Sequence, residues 1–168
     1  MRRIRFRKRG GKRIRILLLV VSLAIAAFQY FFWTGDIPES PESNDPRCGG
    51  AAACFAGPVT RVVDGDTLDV SGARIRLVLV DAPERATRFG PAATAFLREH
   101  CPFGSKALVD QDDLQQADDY GRMVAVVWCE ETRVNEALIR AGHARLYRRF
   151  CRQSEFGLQL WAVALGCE

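Results

Sequence analysis

The sequence contains little histidine and no cysteine pair at the spacing of a zinc site. Only His100 and His143 occur, and none of the six cysteines forms a Cys-x-x-Cys pair. A zinc site built from these residues is therefore disfavoured. We interpret the two histidines as a residue at a helix end and a packing residue, and we assign neither a catalytic role.

The cysteines instead indicate disulfides. An even number of cysteines, all placed after an apolar N-terminal run, is typical of a domain exported to an oxidising compartment. The sequence alone does not fix their pairing, although proximity favours one pair, Cys48 with Cys54. The six residues are Cys48, Cys54, Cys101, Cys129, Cys151 and Cys167.

Acidic residues are absent from the first 33 positions. Residues 1–15 carry nine Lys or Arg, and residues 16–33 form an uncharged run of 18 residues. A run of this length is at the short end of what spans a bilayer, and the basic flank should remain in the cytoplasm. We therefore predict a basic cytoplasmic segment over 1–15, a transmembrane anchor over 16–33 and an extracytoplasmic remainder, periplasmic or extracellular.

A cleaved signal peptide, followed by secretion, is the alternative interpretation of this segment. Ala24-Ile25-Ala26 resembles the small-residue pattern of a cleavage site. We favour the anchor because the apolar run continues to Phe31-Phe32-Trp33, and such aromatic residues are typical of a membrane interface. Residues 34–56 begin with a stretch rich in proline, serine and acids, which predicts a solvated linker.

The exported part has no excess of basic residues. The chain has 24 basic and 20 acidic residues, and removing the nine basic ones before residue 34 leaves 15 against 20, a net charge of −5. A general basic surface is therefore not what would attract a polyanion. Any attraction has to be local, and a group of four arginines is either part of it or a solvated rim. These are Arg145, Arg148, Arg149 and Arg152.

Charged residues are concentrated in three short motifs. They are Asp64-Gly-Asp-Thr67, Arg76-Leu-Val-Leu-Val-Asp-Ala-Pro-Glu84 and Asp119-Tyr-Gly-Arg122. Closely spaced carboxylates are ligands for a hard cation, another carboxylate can serve as a base for water, and arginines suit phosphate. Asp-Gly is also common in surface turns, so the first motif alone is weak evidence. Together the three motifs indicate a nuclease.

Arg76 lies in a segment that alternates like a strand, where it shares one face with Val78 and Val80. A buried guanidinium without an anionic partner is costly. We therefore expect a carboxylate beside it.

These motifs resemble those of the staphylococcal (micrococcal) nuclease family over roughly residues 57–161. Two further blocks match in the same order, Phe89-Gly-Pro-Ala-Ala-Thr-Ala-Phe96 and Val134-Asn-Glu-Ala-Leu-Ile-Arg-Ala-Gly142. The resemblance implies an OB-like five-stranded barrel with helices. It also implies calcium-dependent hydrolysis of DNA and RNA that leaves 3′-phosphate ends.

The resemblance further implies a calcium site. Asp66 and Asp81 match direct ligands of Ca²⁺, and Asp64 matches a carboxylate that reaches the ion mainly through water. Ala82 stands where the family often has threonine. Because the ligand at that position is the main-chain carbonyl, calcium binding should be retained.

Three more residues match the family's catalytic groups. Glu84 matches the residue usually given the role of general base toward the attacking water. Arg76 and Arg122 match the two arginines that bind the phosphate. The link over residues 85–88 is shorter than in some relatives. This difference bears on the substrate preference rather than on the chemistry of cleavage.

The apolar pattern agrees with a barrel. We predict an α+β, mainly β domain over residues 57–168, an OB-fold five-stranded barrel with about three helices, preceded by one transmembrane helix. We expect a monomer that acts on DNA, RNA or both. Strands are predicted over residues 59–63, 67–70, 74–80, 106–110 and 123–129, and helices over 91–100, 133–141 and 154–165.

Two functions without catalysis are the alternatives. One is a module of the same fold that binds nucleic acid or protein, and the other is a structural calcium site in which the arginines pair with the aspartates. The enzyme is favoured because all six charged positions are present. The sequence does not decide between DNA and RNA, between internal and terminal cleavage, or among biological roles.

Overall fold

Five strands close into a barrel in the computed structural model, which describes residues 45–168. The strands are β1 (Cys54–Val62), β2 (Thr67–Val70), β3 (Ala73–Leu77), β4 (Val80–Asp81), β5 (Lys106–Gln111), β6 (Met123–Cys129), β7 (Thr132–Arg133) and β8 (Arg145–Leu146). The first strand, β1, pairs antiparallel with β2 and β5, and a parallel pairing of β3 with β6 closes the barrel. The short strand β7 extends the sheet beyond β6, and β4 pairs with β8 as a separate ribbon.

The long strand β1 serves two partners. Its first half pairs with β5 and its second half with β2, and the register shifts between Val59 and Arg61. A bulge at such a shift bends the strand and increases its twist. This bend allows one strand to belong to both sides of a small closed barrel.

Helices pack around the barrel. The first, α1 (Gly90–His100), has Pro91 in its first turn, a position where the missing N–H of proline costs nothing. The second and third are α2 (Val134–Arg140) and α3 (Leu160–Leu165), and α3 ends at Gly166 in the left-handed conformation. Two 3₁₀ helices, Arg148–Phe150 and Glu155–Leu158, lie between α2 and α3.

The apolar residues form two cores. One fills the barrel and includes Leu68, Ile75 and Val127. The other lies on the outer face of β5 and β6, where Trp128 packs with Phe156 of the C-terminal segment. The closed five-stranded barrel with three α-helices matches the predicted architecture of this domain.

All six cysteines form disulfides. Cys48 pairs with Cys54, which confirms the predicted pair. The other two bonds join Cys101 to Cys129 and Cys151 to Cys167. The first of these links the residue after α1 to the end of β6, and the second closes the C-terminal segment on itself.

Three predicted elements are wrong in part. The first strand, predicted over 59–63, spans Cys54–Val62 because residues 54–58 pair with β5. The strand predicted over 74–80 ends at Leu77, and a turn at Val78 and Leu79 precedes β4; Leu79 has a φ of 60°. Contacts distant in sequence hold this turn, since the Val78 N–H donates to the Ala125 carbonyl. The helix predicted over 154–165 is divided into a 3₁₀ helix and α3.

The predicted basic segment and anchor, residues 1–33, lie outside the described residues, as do residues 34–44 of the linker. Within residues 45–168, no helix combines the length and the apolar character needed to cross a membrane. The domain limits derived from the sequence remain predictions.

Candidate active site

A polar cleft of about 450 Å³ lies between three loops of the barrel. One loop joins β1 to β2, one follows β4, and one precedes β6. All six charged residues named from the sequence line this cleft: Asp64, Asp66, Arg76, Asp81, Glu84 and Arg122.

Arg76 is fixed on the floor of the cleft by acceptors on three sides. Its Nη2 lies 3.1 Å from Oδ2 of Asp66, which is the anionic partner expected from the sequence. Its Nη1 donates to the carbonyls of Val80, at 2.7 Å, and Leu77, at 3.0 Å. The turn between β3 and β4 therefore orients this guanidinium.

The carboxylate of Asp66 is buried and well supplied with donors. The N–H of Ala82 donates to its Oδ2 at 2.9 Å, and the hydroxyl of Thr67 donates to its Oδ1 at 3.2 Å. Burial raises the pKa of Asp66 from 3.8 to about 6, against the opposing pull of the Arg76 guanidinium and the Ala82 N–H. The negative charge of Asp64 raises it further.

Asp64 reaches the cleft through a bend. Two residues that are two apart in the sequence would share one face of an extended strand, but residues 64–66 form a bend and Oδ1 of Asp64 accepts the N–H of Asp66 at 3.1 Å. The glycine between them lies against α1, where an added Cβ would be 2.7 Å from Cβ of Ala93. Position 65 therefore needs glycine for this close approach.

Asp81 and Glu84 lie on the exposed edge of the cleft. Asp81 is held by the pairing of β4 with β8, opposite Arg145. The carbonyl of Glu84 accepts the N–H and the hydroxyl of Thr87, at 2.8 and 2.7 Å. It also lies so close to Gly90 that an added Cβ would overlap with it. The start of α1 therefore sets the position of the Glu84 backbone.

Arg122 is held by a residue that the sequence argument missed. Its Nε donates to Oδ2 of Asp118 at 2.6 Å, and its Nη1 lies 3.3 Å from the hydroxyl of Thr67. Burial pushes the pKa of Asp118 upward, but hydrogen bonds from Arg122 and Tyr120 outweigh it and hold that pKa below its usual value. An aspartate four residues before a candidate arginine, in the same loop, was the available signal.

A second residue missed from the sequence supports the cleft from behind. Asn135 is fully buried at the start of α2. Its side-chain amide donates to the carbonyls of Val78, at 3.0 Å, and Ala125, at 3.2 Å, and its oxygen accepts the N–H of Val127 at 2.9 Å. Asn135 thereby ties the turn that orients Arg76 to β6.

The carboxylates of the cleft have the chemistry of a hard-cation site. Oxygen ligands of this kind suit calcium or magnesium rather than zinc. Among residues 45–168, no three carboxylate, imidazole or thiol side chains are grouped so that they could hold a metal ion as they stand. The carboxylate oxygens of the cleft therefore fit calcium. One of these carboxylates, that of Asp66, forms an ion pair with Arg76.

The arginine group named from the sequence does not line the cleft. Arg148, Arg149 and Arg152 border a separate depression near Gly166. Arg145 borders another groove, which shares residues 81–84 with the cleft.

Comparison with known proteins supports one family. The model of the family described as staphylococcal nuclease homologue matches residues 74–161. The thermonuclease of Staphylococcus intermedius is 33% identical over 140 residues, which cover 77% of each chain. Protein ParB of Escherichia coli is 37% identical over 111 residues, 58% of this chain and 60% of ParB. An uncharacterized endonuclease of Escherichia coli O157:H7 is 36% identical over 99 residues, 56% of this chain and 62% of that protein.

Proposed function

Since this chain belongs to the staphylococcal nuclease family, we propose that it hydrolyses phosphodiester bonds of DNA, RNA or both. The observation that carries the proposal is the convergence of four carboxylates and two arginines on one cleft. Two of its relatives are named as a thermonuclease and an endonuclease. The carboxylates and arginines of this cleft support the same class of reaction in this chain.

We propose Ca²⁺ as the cation, with Asp66 and Asp81 as direct ligands and Asp64 acting through water. When bound, a hard divalent cation supplies positive charge beside the phosphate. Asp66 is suited to the role because the Ala82 N–H and Arg76 fix its carboxylate. Asp81 is exposed at the end of β4, where its carboxylate faces solvent.

The two arginines are proposed to bind the non-bridging oxygens of the phosphate. A planar guanidinium can donate two parallel hydrogen bonds, which a lysine cannot do. Both groups are fixed in advance, Arg76 by main-chain carbonyls and Arg122 by Asp118. Donors held in this way stabilise the charge that develops during the reaction without a cost of reorganisation.

Glu84 is proposed to orient the attacking water and take its proton. Its carboxylate is exposed on the edge of the cleft, and its backbone is held by Thr87 and Gly90. The water oxygen forms a bond to phosphorus while the bond to the 5′ oxygen breaks, and the departing oxygen takes a proton from solvent. The products then carry a 3′-phosphate and a 5′-hydroxyl.

The test is hydrolysis of a plain single-stranded oligonucleotide with calcium and with excess chelator. We expect cleavage only with calcium, and products that end in a 3′-phosphate. Full activity in chelator, or no cleavage at any calcium concentration by folded protein, would contradict the proposal.

A non-catalytic role has one observation in its favour. The ion pair between Arg76 and Asp66 is what a purely structural pairing of arginines and aspartates would produce. A binding module of the same fold would retain oligonucleotide in the same experiment without cutting it.

We also propose that the domain lies outside the cytoplasm, attached to the membrane by residues 16–33. The three disulfides support an oxidising compartment. The intact protein should then sediment with membranes and resist salt extraction, and external protease should remove the domain. A soluble form that begins near Ala27 would instead identify a cleaved signal peptide.

A further inference from the structure

The cleft borders two depressions that have only Asp81 and Glu84 in common. The first includes Tyr120, Tyr147 and Phe150 among its lining residues. The second, which we call the α1 groove, has a volume of about 740 Å³ and is lined by residues 81–84, Phe89, Ala92 and residues 141–145. A substrate chain that passes through the cleft can therefore extend past the two carboxylates into either depression.

The α1 groove carries an exposed aromatic ring. Phe89, which precedes α1, is 63% exposed, although a ring of this kind is normally buried. The guanidinium of Arg88 lies 5.4 Å from the centre of the same ring. An exposed ring with an arginine beside it is the arrangement on which unpaired bases stack.

The rest of the α1 groove leaves room for a base. Its wall includes Ala92 and Gly142, which are too small to fill the space, and His143, whose ring centre lies 4.7 Å from that of Phe96. Arg145 is exposed on this wall, directly opposite Asp81 in the pairing of β4 with β8. A cation at this position suits the phosphate next to the one in the cleft.

We propose that the α1 groove binds the nucleotide on one side of the scissile phosphate, with its base stacked on Phe89 and its outer phosphate near Arg145. This inference rests on the proposed nuclease function and names the substrate more closely. A base that stacks on a protein ring has left its own helix, so the preferred substrate is single-stranded. Bases on both sides of the cleaved bond then contribute to recognition.

The test compares substrates with bases on both sides and on one side of the cleaved bond. Phe89→Ala should lower kcat/KM for a single-stranded oligonucleotide by about 10-fold or more, because loss of one stacked base costs about that much. Two nucleoside phosphate methyl diesters, one 5′-linked and one 3′-linked, each carry a single base. The diester whose base does not enter the groove should be hydrolysed by Phe89→Ala at the wild-type rate.

Phe103→Ala is the matched control, since Phe103 is 85% exposed and lies outside the residues that line the α1 groove. It should leave all three rates unchanged. An unchanged rate of Phe89→Ala on the oligonucleotide would overturn the inference. Equal losses on the oligonucleotide and both diesters would also overturn it, because they would show a general disturbance of Glu84.

A binding measurement separates this inference from the proposed function. In chelator, where no cleavage is expected, Phe89→Ala should bind a labelled single-stranded oligonucleotide at least about fivefold more weakly than Phe103→Ala. If the wild-type protein cleaved nothing but the two variants still differed in binding, the nuclease function would be wrong and the groove assignment would stand. Equal binding by the two variants would contradict the groove assignment.

Discussion

Asp110 is a buried carboxylate among other carboxylates, and its replacement by asparagine should stabilise the protein at alkaline pH. Asp110 is 1% exposed and Asp112 is fully buried. One oxygen of each has no hydrogen-bond partner among the described residues. Asp113 and Glu155 carry the neighbouring charges, where the loop closed by Cys48 and Cys54 and the C-terminal segment meet β5.

The magnitude follows from the pKa of this carboxyl group. Burial raises the pKa of Asp110 from 3.8 to about 7, opposed by the Gly49 N–H and reinforced by Glu155, Asp113 and Asp112. The folded state therefore binds more protons than the unfolded state between these values. The contribution of protonated Asp110 to the free energy of unfolding is therefore complete below about pH 4, and it is lost as the pH rises to about 7. At about 1.4 kcal/mol per pH unit, the loss by pH 8 is at most ~4 kcal/mol.

Asparagine removes this loss because it does not ionise. Its oxygen can still accept the Gly49 N–H, which donates to Oδ2 of Asp110 at 3.1 Å. Its amide N–H groups can donate to the adjacent carboxylates. We expect Asp110→Asn to raise the free energy of unfolding at pH 8 by ~1–4 kcal/mol, and the difference from wild type to vanish near pH 4.

The assay is urea denaturation with disulfides intact, in chelator, from pH 4 to pH 8.5. Glu99→Gln removes an exposed carboxylate and is the control; its effect should be small at every pH. A destabilised Asp110→Asn at pH 8, or a difference that does not change with pH, would refute the reasoning.

Two further predictions concern residues that support the cleft. Asn135→Ala removes the side chain that pairs with the buried Val78 carbonyl and Val127 N–H, while the Ala125 carbonyl keeps the Val78 N–H as a donor. It should lower the free energy of unfolding by ~2 kcal/mol or more in urea denaturation; a loss below ~0.5 kcal/mol would contradict this. Arg122→Lys keeps the charge but loses the planar guanidinium with its parallel donors. Single-turnover cleavage should therefore slow by about 10-fold or more, while oligonucleotide binding in chelator changes little. Equal losses in the cleavage rate and in oligonucleotide binding would indicate that Arg122 has a binding role only.

Much of the barrel was predictable because its strands have local signals. The strand over Thr67–Val70 and the strand over Met123–Cys129 have the predicted limits, since β-branched and apolar residues dominate both. The turn at Val78 was not predictable from its apolar neighbours. It depends on Asn135, which is 57 residues away in sequence.

The candidate site shows the same division. Motifs indicated the six charged residues, and the structure brings all of them to one cleft.

The burial of Asp110 had no local signal, because a carboxylate at a strand end is normally solvated. Its hydrogen-bond donor Gly49 and the neighbouring charge of Glu155 precede and follow it by more than 40 residues.

The most direct test of the proposed mechanism is calcium titration beside single-turnover cleavage of one oligonucleotide by wild type, Glu84→Gln and Asp81→Asn. Glu84→Gln should cleave at least about a hundredfold more slowly at saturating calcium, the low end for loss of a general base, with little change in calcium affinity. Asp81→Asn should instead weaken calcium binding, because it removes a direct anionic ligand. If Glu84→Gln lost activity only in proportion to lost calcium, or cleaved at the wild-type rate, Glu84 would not be the group that activates water.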